Sequence, residues 1–166
     1  MKKVIITIVF LFGILQLIRP TKNIGNGDLS RSIEMKSPMP ANVKASLQKA
    51  CFDCHSNTTK YPWYAEIQPV GWYLTNHVRE GKQHLNFDEF LNYDSNEMDE
   101  KMEEVIESQT EGWMPMDSYT LIHKEAILTA EEKNAIIAYA KAIRSSIGNV
   151  NSKVEEKVEK EEKEER

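Results

Sequence analysis

The sequence predicts an all-α fold, and three observations carry that prediction. Apolar residues recur at three- and four-residue spacing in several windows between Val43 and Ile147. Two windows open on capping-box patterns, Asn86 with Glu89 and Thr129 with Glu132. No stretch alternates apolar and polar residues for long enough to read as a strand, and no internal repeat is visible. A chain of 166 residues holds one domain with a sizeable core. Its formal charge of -5, with no cluster of Lys and Arg outside the mixed-charge tail, argues against nucleic acid as a partner.

The chain opens "MKKVIITIVFLFGILQLIRP", two lysines before an apolar run, which is the pattern of an export signal or membrane anchor over residues 1–20. Leu15 to Arg19 offer no small residues for a peptidase, so an uncleaved anchor is the expectation. The run is about 15 residues against the ~20 that span a bilayer, so a cleaved signal stays open as the alternative. Residues 21–39 are rich in Asn, Gly, Ser and Pro and read as a flexible tether.

The folded part is expected over residues 40–148. A first helix carries Val43, Leu47, Ala50, Cys51 and Cys54 on its buried face, with His55 at its C-terminal edge. A second runs from about Pro69 to Glu80 and stops at Gly81. Asn86 and Glu89 cap the segment with Phe87, Phe90 and Leu91. A further helix presents Met98, Met102, Val105, Ile106 and Gln109 and ends at Gly112, before the loop "GWMPMDSYT". The last ordered helix follows Thr129 and carries Ile136, Tyr139, Ala140, Ile143 and Ile147. Residues 149–166 are almost wholly charged and are expected as a solvated helix or a disordered tail.

The chain's only two cysteines stand in "ACFDCHSN", with His55 directly after Cys54. A disulfide, a redox dithiol, a zinc site and covalent haem attachment all use such residues. Thioredoxin-like chemistry sets its cysteine at a helix N-terminus in a βαβ unit, which this pattern lacks. Structural zinc takes four protein ligands, and here two cysteines stand with scattered histidines. Covalent haem employs all three residues: each thiol forms a thioether with one vinyl group, and the adjacent imidazole becomes the proximal axial ligand. Export supports that choice, because bacterial haem attachment takes place outside the cytoplasm. So does Met114-Pro115, in a loop from which a sulfur can approach the opposite haem face.

The stretches "CFDCHSNTTKYPWYAEIQPVGWYL", "GKQHLNFDEF" and "MPMDSYTLIHKEAILTAEEKNAIIAYA" resemble the haem-binding domain family of small exported bacterial proteins. That family is related to class I c-type cytochromes and is sometimes joined to cytochrome c peroxidase modules. The resemblance covers roughly residues 40–145. It implies a class I cytochrome c-like helical domain around one haem, attached at Cys51 and Cys54 with His55 proximal, and an electron-transfer function.

Class I cytochromes often follow the ligand methionine with proline, which selects Met114 as distal ligand. Met116 and His77 are the alternatives. His84 and His123, in polar surroundings, read as surface or loop hydrogen-bonders, and Met98 and Met102 as core. The expectation is therefore a monohaem c-type cytochrome carrying one haem c, an electron carrier and not an enzyme. It would be N-terminally anchored on the periplasmic side of the cytoplasmic membrane, or periplasmic if cleaved. Its partners would be cell-envelope redox proteins, the membrane and the c-type maturation machinery. The alternative is a peroxidase-associated haem protein or a gas or redox sensor with an open or displaceable sixth position.

Overall fold

The computed structural model describes the backbone of residues 1–164 and the side chains of residues 1–148. Every element is an α-helix or a 3₁₀ turn, and no strand occurs among the described residues, as the sequence predicts. The α-helices are α1 Lys2–Leu15, α2 Ile33–Lys36, α3 Ala41–Ala50, α4 Phe52–His55, α5 Val70–His84, α6 Ser95–Glu111, α7 Asp117–Thr120 and α8 Ala130–Glu164. Two compact units divide the chain: one joins Met1–Asp28 with Phe52–Phe87, the other joins Leu29–Cys51 with the chain from Asp88 onward.

In the first unit, α1 is apolar and buries none of its residues. Its 14 residues extend about 21 Å at ~1.5 Å per residue, against the ~30 Å of a hydrocarbon core. Among the described residues no helix is long and apolar enough to cross a membrane. The helix stops where Gln16 turns its amide to Gln68: Gln16 Nε2 donates to the Gln68 carbonyl at 3.1 Å, and Gln68 N–H donates to Gln16 Oε1 at 2.8 Å. The Gln68 side chain in turn accepts from Trp72 N–H at 3.1 Å, satisfying a donor in the first turn of α5.

Helix α5 does not stop at Gly81 as expected but continues to His84. The glycine has another task. A Cβ there would stand 2.8 Å from the Cys54 carbonyl oxygen and 3.1 Å from Cys54 Cβ. Gly81 thus lets α5 lie directly against α4, a packing reason for glycine inside a helix.

In the second unit α6 packs along α8, and α3 also packs on α8. The predicted faces are largely the buried ones: Met98, Met102 and Gln109 from α6, Ile136, Tyr139, Ala140, Ile143 and Ile147 from α8, Val43, Leu47 and Ala50 from α3, while Val105 and Ile106 of α6 are half-buried. Both ends of α6 are capped. Asp94 accepts from Glu97 N–H at 2.9 Å while Glu97 reaches back to Asp94 N–H at 3.2 Å, and Gly112 closes the helix with φ 80°. Thr129 and Glu132 form the predicted capping box, with bonds of 2.9 and 3.2 Å. Glu132 also pairs with Lys49 at 2.7 Å.

Two expectations are corrected by local geometry. The helix expected to run through both cysteines ends at Ala50, because Cys51 leaves helical dihedrals (φ -129°, ψ -43°), and α4 starts afresh at Phe52. The segment after Asn86 is a 3₁₀ turn, Phe87–Asn92, in which Glu89 departs from helical dihedrals, and Asn86 Nδ2 donates to Asn57 Oδ1 at 2.8 Å.

The stretch 21–39, expected as a tether, is tied down in both units by specific bonds. Within the second unit Ile33 on α2 is 1 % exposed, Leu91 N–H donates to the Arg31 carbonyl at 2.9 Å, and the Tyr139 hydroxyl donates to the Ser37 carbonyl at 2.8 Å. Burial, and then the nearby Glu34 charge, push the Tyr139 phenol up to about 12, so it stays a donor. The backbone of α8 continues through the charged tail to Glu164, while the last two residues lie outside the described residues.

Candidate haem site

The first unit presents Cys54 and His55 on the single turn of α4, and Cys51 immediately precedes that turn. All three are half-buried. The cysteines are not bridged. Burial, followed by the neighbouring Asp53 charge, pushes the Cys54 thiol up to about 11. That is opposite in direction to the lowered value typical of a redox-active cysteine. Among the described residues no three or more His, Cys, Asp and Glu side chains group so as to hold a metal ion, which a zinc site made by side chains alone requires.

His55 has a determined orientation. Its Nδ1 stands 3.0 Å from the Leu85 carbonyl oxygen just beyond α5. A carbonyl only accepts, so Nδ1 carries the hydrogen and Nε2 keeps its lone pair. Burial is the largest influence on the ring and lowers its pKa, against the opposing bonds with the Leu85 and Gly81 backbones. The neutral imidazole is therefore favoured, the form that ligates iron. Phe87 meets the ring edge-on at 6.4 Å between centroids, and Phe52 packs on Phe87 at 5.5 Å. These aromatic contacts and the Leu85 bond fix the ring as an outer-shell partner fixes a ligating histidine.

The loop after His55 is held from within. Thr59 donates its hydroxyl to the Asp53 carbonyl at 2.6 Å, Lys60 N–H donates to Asp53 Oδ1 at 3.0 Å, and Ser56 and Thr58 exchange hydrogen bonds of 3.0 and 3.1 Å.

In the second unit Met114, Pro115 and Met116 are half-buried in the loop after α6, and the Met114–Pro115 peptide bond is cis. Gln109, buried in the last turns of α6, donates from Nε2 to the Met114 carbonyl at 3.3 Å, while its Oε1 is buried with no partner among the described residues. Met116 opens α7, its carbonyl accepting from Tyr119 and Thr120 N–H at 3.0 and 3.1 Å. The histidines are locally engaged. His77 lies against Tyr73 at 4.2 Å with Nδ1 3.4 Å from Glu80, and His123 stacks on Tyr119 at 4.4 Å with Nδ1 3.2 Å from Glu125. His84, in the last turn of α5, is exposed.

Sequence reading did not find Leu85, Gly81, Thr59 or Gln109 as supports. Leu85 acts through a backbone carbonyl, and the Thr59 hydroxyl acts on the backbone carbonyl of Asp53, partners that no side-chain pattern marks. Gly81 had a visible signal, a glycine inside an apolar periodic stretch, which reads equally well as a helix stop.

A helical protein that offers a thiol and a neutral, oriented imidazole on one turn, with a second unbridged thiol directly before that turn in sequence, has the donor chemistry of a haem protein. The profile of the haem-binding domain family matches residues 10–142, and the chain belongs to that family. Comparison with curated proteins returns no match, and comparison with solved structures returns none.

Proposed function

We propose that this haem-binding chain is a monohaem c-type cytochrome that carries single electrons outside the cytoplasmic membrane. The observation that supports it best is the orientation of His55, whose Nδ1–H is committed to Leu85 while Nε2 is left to bind iron one residue after a cysteine. Cys51 and Cys54 would each add a sulfur and a hydrogen across one vinyl group, leaving two thioethers and no leaving group. The haem, when bound, supplies a one-electron iron couple. The chain's own part is to hold it, keep water from it and set its ligands.

Met114 is the proposed sixth ligand, with Met116 and His77 as the alternatives. Gln109 would support it by fixing the Met114 backbone. Held by His55 and Met114, the haem would supply a one-electron couple of raised potential, which suits a carrier better than a catalyst. The lysines and apolar run at the N-terminus support export, with cell-envelope redox proteins as partners and c-type maturation as the source of the haem.

The test is extraction and ligand binding. Haem in protein made with c-type maturation should resist acid and organic solvent, and Cys51→Ala with Cys54→Ala should release it. Freely extracted wild-type haem would exclude the thioethers. Met114→Ala should convert a six-coordinate low-spin iron into one that binds carbon monoxide, with a lower potential, while Met116→Ala and His77→Ala leave the spectrum nearly unchanged. Carbon monoxide binding by the wild type would favour a sensor or peroxidase-associated role instead. Fractionation should find the holoprotein in the cell envelope, and cytoplasmic holoprotein would refute export.

A further inference from the structure

The haem-attachment loop of the first unit is held by residues that lie more than thirty positions upstream of it. Asn23 is the centre of the arrangement. Its Nδ2 donates to the Ser56 carbonyl at 3.0 Å and to the Thr59 hydroxyl at 2.9 Å, and its Oδ1 accepts from Lys82 Nζ at 2.8 Å. Its backbone N–H donates to the Tyr61 hydroxyl at 2.9 Å and its carbonyl accepts from Thr59 N–H at 3.0 Å. The Thr59 hydroxyl passes its own hydrogen to the Asp53 carbonyl inside α4. One side chain thus reaches α4 through a single intermediary, and touches the residue that follows His55.

The flanking residues are docked as well. Gln16 exchanges two bonds with Gln68, the Ile18 carbonyl accepts from the Trp72 indole at 2.8 Å, and Arg19 and Lys22 both pair with Glu66. Gly25 lies so close to the Asn57–Thr58 turn that a Cβ would stand 2.8 Å from Thr58 Oγ1 and 2.9 Å from the Asn57 carbonyl. A leader that is discarded has no reason to satisfy so many groups of the folded chain.

We propose that residues 16–25 are a permanent strap over the haem-attachment loop. Asn23 is its positioning residue, acting on His55 through Ser56 and Thr59, and any processing of the N-terminus leaves Gln16 to Gly25 on the mature chain. The effect on His55 rests on the reading of Cys51, Cys54 and His55 as the haem site, whereas the strap itself does not depend on it.

The experiment uses the full chain produced with c-type maturation. Intact mass should place the mature N-terminus at or before Gln16, and a start beyond Gln16 overturns the proposal. Asn23→Asp keeps the shape and the Lys82 bond but removes both side-chain donors. Hydrogen exchange over residues 53–61 should then quicken about tenfold, the factor expected when one or two hydrogen bonds of ordinary strength are lost. Gly25→Ala should quicken the same segment by wedging the strap away, while Lys82→Met, which spares the donors, should not. Unchanged exchange in both Asn23→Asp and Gly25→Ala overturns the strap. Asn23→Asp should also lower the reduction potential by admitting water to the proximal side, and quickened exchange with an unmoved potential overturns the positioning role. Absence of covalent haem in the wild type would defeat the haem reading while leaving the exchange result to decide the strap.

Discussion

At Gly81 two tendencies oppose one another, and their magnitudes decide the outcome. Alanine in a helix interior is favoured over glycine by about 1 kcal/mol. Here the added Cβ would meet the Cys54 carbonyl at 2.8 Å, a backbone atom that has no rotamer to retreat into. Gly81→Ala is therefore expected to destabilise by about 1–3 kcal/mol, the range for overpacking, and to lower the haem content by displacing α4. Urea denaturation measures the first and pyridine haemochrome content the second. Gly148→Ala is the control, since a Cβ there meets nothing within 4 Å and should be neutral or slightly stabilising.

At the scale of elements, the pairing of α6 with α8 rests on buried Met98, Met102, Ile136, Ala140 and Ile143 and on Arg144 at its edge, which pairs with Asp99 and, at 3.3 Å, with Glu103. Arg144 grips Asp99 with Nε and Nη2, both at 2.8 Å, and hydrogen bonding to that guanidinium holds the Asp99 carboxyl below its usual range. Because the folded-state value is depressed, the stabilisation is present above the ordinary carboxylate pKa near ~4 and is lost as the pH falls through the folded value. Both side chains are about one-third exposed, so solvent screening limits the pair to about 0.5–1 kcal/mol. Asp99→Asn should be less stable by that amount at pH 7, and the gap should narrow below about pH 4. Urea titrations across that range check both the size and the sign.

At the scale of the whole molecule, each unit is built from separated stretches of chain, so no single contiguous fragment carries either one. A chain starting at Pro40, where composition puts the start of folding, loses the strap, the buried Ile33 and the Ser37 carbonyl that Tyr139 engages. Removing a buried Ile alone costs about 2–5 kcal/mol. Such a chain should therefore be less stable than the full chain by at least about 3 kcal/mol, read from its urea midpoint. Equal midpoints would show that residues 21–39 are the tether their composition describes.

Helices α3, α6 and α8, the Thr129 capping box, the Gly112 stop and the Cys-x-x-Cys-His motif were legible in the sequence, because each is specified within a few residues. Apolar period, cap chemistry and thiol spacing are all local quantities. Tertiary structure alone decided that α5 passes through Gly81, that Cys51 falls outside the turn that carries Cys54, and that residues 21–39 are docked. Asn23 meets residues 33, 36 and 59 positions away, and His55 meets a carbonyl 30 positions away. The physical reason lies in the partners. A backbone carbonyl becomes a support when the surrounding packing leaves it buried and otherwise unpaired, and a glycine becomes essential when another helix comes within van der Waals distance of its Cα. Both conditions are set by what packs nearby, so local spacing determined the chemistry on offer, while long-range packing determined how it is held.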